Sequence, residues 1–340
     1  MRREARAVLT AAVAALLAAG GTAGCAAGPG PDDGRGSGHR AQSPSPGPSS
    51  REPSRPPSRE PAAAARRPAA GPVLAVKVDN VRAARPQAGL DSADVVYVEP
   101  VEGGLSRLMA LYATRLPASV GPVRSARESD LELLRQFDQP VLAFSGAQRK
   151  LLPRIAGAPL RAGTPEENPG AYVRDTARPA PHNLYLRPGE LLPSAAGPGA
   201  LTTGFRHGAA PAGGRPQTSR TVRYPAARFT FTWSADRNRW LVAMDGEPAV
   251  TPGGRRLAPA TVVVQYVDVR SSALHDFRGN HSPYAETVGS GKAEVLRDGR
   301  AHAAAWRRGS AADGTAFTAP DGEPLGFADG QVWVVFADAS

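Results

Sequence analysis

The constellation with the most specific chemistry in this chain is Gly121-Pro122-Val123-Arg124-Ser125-Ala126-Arg127. Ser125 followed three residues later by Glu128 fits a capping box, so a helix is predicted to begin there. Arg124 and Arg127 would then crowd the positive end of the helix dipole, a placement disfavoured by about 0.3 to 1 kcal/mol per charge. Something anionic should compensate. A phosphate or carboxylate ligand would find free backbone N–H groups and two guanidinium forks. Internal salt bridges to Glu99, Glu102 or Glu128 would neutralise the same arginines with no ligand at all.

Glu99 and Glu102 follow an apolar run and precede Gly103-Gly104, with Arg107 five residues past Glu102. Acidic groups at a strand end beside glycines stand where open α/β sheets carry their sites. Glu102 with Asp79, and Glu99 beside them, would serve as general acid and base on a glycosidic bond if the carboxyl groups stood roughly 5 to 9 Å apart. The competing reading is that these carboxylates simply neutralise Arg107, Arg124 and Arg127. A second polar block contains Arg174-Asp175 and Pro181-His182-Asn183-Leu184-Tyr185. His182 offers a proton shuttle or a ligand contact, and Asn183 can read a sugar hydroxyl or an amide. Either can equally be a structural hydrogen-bonder. The binding candidates are therefore Arg107, Arg124, Arg127, Arg174, His182 and Asn183.

Other chemistries lack their residues. The chain has one cysteine, Cys25, which removes disulfides, thiolate zinc sites and a cysteine nucleophile from the folded region. His275, Asp276 and His281 lack the helical His-x-x-x-His spacing of a metal site, so no metal is assigned and no cofactor is expected. No nucleophile elbow surrounds Ser145. Phosphate loops and dinucleotide fingerprints are missing too. The net charge of +10 is divided between the N-terminal quarter and the rest, and arginine supplies nearly all of it. Without interleaved basic and aromatic residues, it does not mark a nucleic-acid partner.

These side chains must be carried by elements further along the chain than its first quarter. Residues 1–24 read as a lipoprotein signal peptide: Arg2, Arg3 and Arg6 precede an apolar run from Ala7 to Ala19, and Thr22-Ala23-Gly24 lead into Cys25. The run is shorter than the ~20 residues of a spanning helix. Diacylation of Cys25 would hold the chain on the extracytoplasmic face of the cell membrane, while ordinary cleavage or a retained helix are the alternatives. Residues 25–70 form a Pro/Ser/Arg-rich tether with too little apolar surface to order itself. Apolar runs at Leu74 to Val78, Val95 to Val98, Leu105 to Tyr112 and Val141 to Phe144, with the helix whose face is Leu131, Leu134 and Phe137, predict an N-terminal α/β or α+β domain over 71–200. A linker or loop spans 201–221. Residues 222–340 predict a mostly antiparallel β domain, with turns at Ser290-Gly291, Asp298-Gly299, Asp313-Gly314, Asp321-Gly322 and Asp329-Gly330.

The blocks AVKVDNVRAARPQAGLDSADVVYVEPVEGGLSRLMALY, VGPVRSARESD and YVRDTARPAPHNLY resemble the first domain of the YerB-like bacterial lipoproteins, a two-domain family of unknown function. The stretch from Gly289-Ser290-Gly291-Lys292 to Gly330-Gln331-Val332-Trp333 is similar to that family's second domain. The resemblance implies a secreted or lipid-anchored two-domain protein of Gram-positive bacteria, and it implies no reaction. A non-catalytic envelope module is the leading expectation, with peptidoglycan, an anionic wall polymer or a wall-synthesis protein as partner. A peptidoglycan-active hydrolase or lyase using Glu102 and Asp79 is the second, and a purely structural scaffold the third.

Overall fold

The computed structural model describes residues 71–276 and 279–340, so Cys25, the signal and the tether lie outside the described residues. The first half contains β1 (Leu74–Asp79), β2 (Val95–Pro100), β3 (Ser106–Tyr112), α1 (Glu128–Leu134), β4 (Val141–Ala143), α2 (Leu152–Ala156), β5 (Arg161–Gly163), β6 (Tyr172–Arg174), β7 (Leu184–Leu186) and α3 (Pro188–Leu191). After the loop come β8 (Arg215–Pro216), β9 (Ser219–Tyr224), β10 (Ala227–Ser234), β11 (Arg239–Met244) and β12 (Glu247–Pro248). The remaining strands are β13 (Thr261–Val267), β14 (Val269–His275), β15 (His281–Ala285), β16 (Gly289–Arg297), β17 (Arg300–Arg308), β18 (Ala316–Thr318) and β19 (Val332–Asp338).

An eleven-stranded sheet runs in the order β18-β17-β16-β13-β19-β2-β3-β1-β4-β5, with β8 pairing to β17 beside this path. Strands β1, β2, β3, β13 and β19 are buried along almost their whole length because both faces of this sheet are covered. On one face lies the sheet β12-β11-β10-β9, whose Phe229, Phe231, Trp240 and Val242 pack on Val96, Val98, Val262 and Trp333. On the other lie α1 and α2, whose Leu133, Leu134 and Ile155 pack with Ala75, Tyr97, Met109, Val263 and Phe336.

The fold is β-rich, which corrects the expected α/β character of the first half. The three helices have seven, five and four residues. They are too short to be the crossovers of a parallel sheet, and β1, β3 and β2 pair antiparallel instead. The second half is antiparallel from β13 through β16 and β17 to β18, as expected. Strand β19 departs from this pattern. It pairs in parallel with both β13 and β2, so strands of both halves belong to one sheet.

Two local expectations fail for identifiable reasons. Ser125 is not the helix cap: Ala126 and Ser145 bond across to Gly146 and Arg124, which holds residues 124–126 extended. The helix begins at Glu128, where the Asp130 carboxylate accepts the Arg127 N–H at 2.7 Å. Ser290-Gly291 is not a turn but the start of β16. A Cβ on Gly291 would lie 2.7 Å from the Trp306 Nε1, so this glycine answers to close packing. Asp298-Gly299, both at positive φ, does make the tight β16–β17 hairpin.

Arg308 joins the halves from within. Fully buried on β17, it donates to the carbonyls of Glu132 at 3.0 Å and Leu133 at 3.3 Å, in the last turn of α1. It also donates to the Thr287 hydroxyl and to the carbonyls of Asp313 and Ala311.

Candidate functional site

Strand alternation brings the charged candidates together. Arg107 on β3 lies directly opposite Asp79 on β1 and Glu99 on β2. Cross-strand partners share a face, and Lys77, two residues before Asp79, shares it too. This face meets α1.

Deepest in the cluster is a triad of ionisable side chains. Lys77 Nζ, with no exposure, donates to Glu99 Oε2 and to Asp130 Oδ1, the latter at 2.9 Å. Burial, aided by the Asp130 charge and opposed by Lys77, pushes the Glu99 carboxyl up to about 8. Its Oε1 has no hydrogen-bond partner. The native state thus retains a proton that the unfolded chain, near 4.5, has already released. The corresponding stability is complete below that lower value and is lost as the pH rises through about 8. Unfolding midpoints measured from pH 5 to 8 should therefore fall, and Glu99→Gln should flatten the fall. A wild-type midpoint that climbs across this window contradicts the assignment.

Nearer the surface stand two carboxylates and three arginines. Asp79 Oδ2 receives His182 Nδ1 at 2.8 Å and lies 3.1 Å from Arg124 Nε, an ion-pair distance without hydrogen-bond geometry. Glu102 binds Arg127 Nη2 at 2.6 Å and accepts the Ser282 hydroxyl from β15. Burial raises the Glu102 carboxyl, but Arg127 and Ser282 outweigh it and hold the group below its usual value. Glu102 is therefore ionised at neutral pH and has no proton to donate as a general acid. Arg107 has no carboxylate of its own. It is 8% exposed, its Nη1 donates to the Ser125 carbonyl at 3.1 Å, and its Nε has no partner. Burial, reinforced by the Arg127 charge, lowers it to about 10.

Glu102, Ser125, Arg127, Arg149, His275 and Ser282 line a cleft of about 400 Å³, closed on one side by β14 and β15. Of the other candidates, Arg174 and Asn183 bond to each other at 2.8 Å. Asn183 also donates to the carbonyls of Asp175 and Arg178, and so holds its own loop together. Among the described residues no cluster of three metal-ligating side chains is present. No helix among them is long and apolar enough to cross a membrane. Lys77, Asp130 and Ser282 escaped the sequence reading. A signal for Lys77 exists: it is the one charge inside the apolar run Leu74 to Val78, on the Asp79 side of the alternation.

Residues 59–200 match the family described as "Protein of unknown function (DUF3048) N-terminal domain", and residues 220–334 match its C-terminal domain. The chain is 36% identical over 115 residues to "Putative lipoprotein YerB" of Bacillus subtilis (strain 168). That match spans 33% of this chain and 34% of the relative, about a third of its length. The crystal structure of YerB from Bacillus subtilis has the same fold, with a TM-score of 0.65 at 19% identity, over 78% of this chain and 90% of that one.

Proposed function

The chain belongs to the DUF3048 family, and from that premise we propose that it is a lipid-anchored module of the cell envelope that binds an anionic group of a wall polymer. The anchor is Cys25, read from the signal-like segment before it and supported by the likeness to a protein named as a lipoprotein. The ligand group is a phosphate or a carboxylate, held by the arginines beside the cleft of Glu102 and Arg127.

One observation carries this reading: Arg107 is buried and cationic, and none of the three nearby carboxyl groups makes an ion pair with it. Asp79 is engaged by His182 and Arg124, and Glu102 by Arg127 and Ser282. Glu99, opposite on β2, keeps its proton at neutral pH. A buried charge with no carboxylate paired to it lowers stability, and a bound anion would offset that cost.

The test is thermal melting of the full chain in inorganic phosphate and in soluble muropeptides, wild type against Arg107→Met. We expect both ligands, or one of them, to raise the wild-type midpoint by several degrees. Arg107→Met should melt at or above the wild type without ligand and lose at least tenfold in ligand affinity. A wild type indifferent to both ligands, or a variant that keeps the shift, overturns the anion site. In cells fed a labelled fatty acid, the wild type should carry the label and Cys25→Ser should not, and an unlabelled wild type overturns the anchor.

A further inference from the structure

The outer edge of β17 carries two short partners with a space between them. β8 pairs with it at Arg300 and Ala301, and β18 pairs with it from Ala305 to Arg307. His302, Ala303 and Ala304 have no strand on that side.

The phase of the ladder shows which backbone groups face this space. In a two-residue hairpin the flanking residues, here Arg297 and Arg300, exchange both hydrogen bonds. Residues 300, 302 and 304 therefore direct N–H and C=O toward β16, and residues 299, 301, 303 and 305 direct theirs outward. The bond from the Gln217 N–H to the Gly299 carbonyl, at 2.9 Å, agrees with this phase. Ala301 faces β8 and Ala305 faces β18, which leaves Ala303 with an outward N–H and C=O and no ladder partner.

A cavity of about 650 Å³ opens at this place. Pro211 and Arg215 line it on the β8 side, and Ala319, Pro320 and Leu325 on the β18 side. Its small, largely apolar walls admit an extended backbone. Charge selects the occupant. Lys292 lines the cavity, lies opposite Ala305, and shares its face with Ala303 and Arg307. Lys292 and Arg307 are both exposed and have no hydrogen-bond or ion-pair partner among the described residues. Glu294 on this face is already held by Arg215 and Arg220.

We propose that the gap on the edge of β17 accepts an extended peptide segment with acidic side chains, which pairs antiparallel to β17 through Ala303. Open strand edges recruit further strands in this way, with main-chain bonds giving affinity and side chains giving selection. This surface is separate from the arginine site proposed above.

The probe is acetyl-Val-Glu-Val-amide, whose three residues match the three open positions and whose Glu stands opposite Ala303 on the face of Lys292, titrated into the full chain. Controls are its fully N-methylated analogue and the corresponding Lys-Val peptide. We expect the acidic peptide to bind and to slow amide exchange at Ala303. N-methylation should weaken binding at least tenfold, as expected for loss of one or more main-chain hydrogen bonds. Ala303→Pro should do the same. If that variant fails to fold, Lys292→Glu/Arg307→Glu decides, since its changes lie on exposed side chains and should shift preference to the lysine peptide. Absence of binding, or binding indifferent to N-methylation and to charge reversal, overturns the proposal. Phosphate-induced melting shifts should be unchanged in the charge-reversed variant, which keeps the two sites distinguishable.

Discussion

Lys77→Met should lower the unfolding free energy at pH 7 by about 3 to 5 kcal/mol, the range for breaking a buried ion pair by removing one member. The triad has no access to water, so the Asp130 charge would lose its counterion without gaining hydration. Methionine fills nearly the same volume, which keeps a cavity from supplying the effect. Adding Asp130→Asn should restore more than half of the loss. The amide oxygen still accepts the Arg127 N–H that starts α1, and the stranded charge is gone. Denaturant unfolding of the wild type, both single variants and the double variant measures this coupling. A loss below about 1 kcal/mol, or strictly additive singles, would show that Lys77 is not the counterion.

Arg308→Ala should be of similar size, about 3 to 5 kcal/mol, as for truncation of other large buried side chains. The change opens a cavity under α1 and takes the guanidinium from four carbonyls and the Thr287 hydroxyl, although the Glu132 and Leu133 carbonyls keep the Arg135 N–H and the Gln136 amide and the Thr287 hydroxyl keeps the Glu132 carboxylate. Each buried acceptor left alone costs about 1 to 3 kcal/mol unless water reaches it. Arg308→Lys should recover only a minor part, because an ammonium cannot span acceptors arranged around a planar fork. Burial lowers the Arg308 proton affinity, so an alternative is that its charge is a burden. Arg308→Met separates the two: a variant as stable as the wild type would make the hydrogen bonds dispensable.

Much of the central sheet was legible because its strands are buried on both faces. β1, β2 and β3 were readable as apolar runs of four to eight residues, with ends misplaced by only one or two positions. Their order was not legible. Nothing local in Val332–Asp338 says that it inserts between β2 and β13, since pairing partners are chosen by the whole sheet. Glycine was the weakest guide. Gly299 does serve a turn, whereas Gly291 is there for Trp306, and the two look alike in sequence.

The site divides the same way. The sequence suggested that Asp79 and Glu102 would neutralise arginines, and Arg124 and Arg127 are the partners they meet. Arg107 was grouped with them, but its lack of a carboxylate depends on where His182 and Ser282 arrive from distant segments. Arg174 and Asn183 fell into the same motif as His182 yet turn back into their own loop. A motif fixes neighbours along the chain and not the direction in which each side chain leaves it.

The position of β19 also governs the sequence of assembly. Every other strand of the large sheet precedes it along the chain, yet it fills the slot between β2 and β13. While the polypeptide emerges N-terminus first, β2 and β13 wait with bare edges, and the join depends on contacts between residues hundreds of positions apart. Such long-range closure is slow, and unsatisfied edges invite mispairing in the interval. A chain cut short before Val332 would keep both edges permanently, so quality control that recognises exposed strands has a direct means of telling finished molecules from unfinished ones.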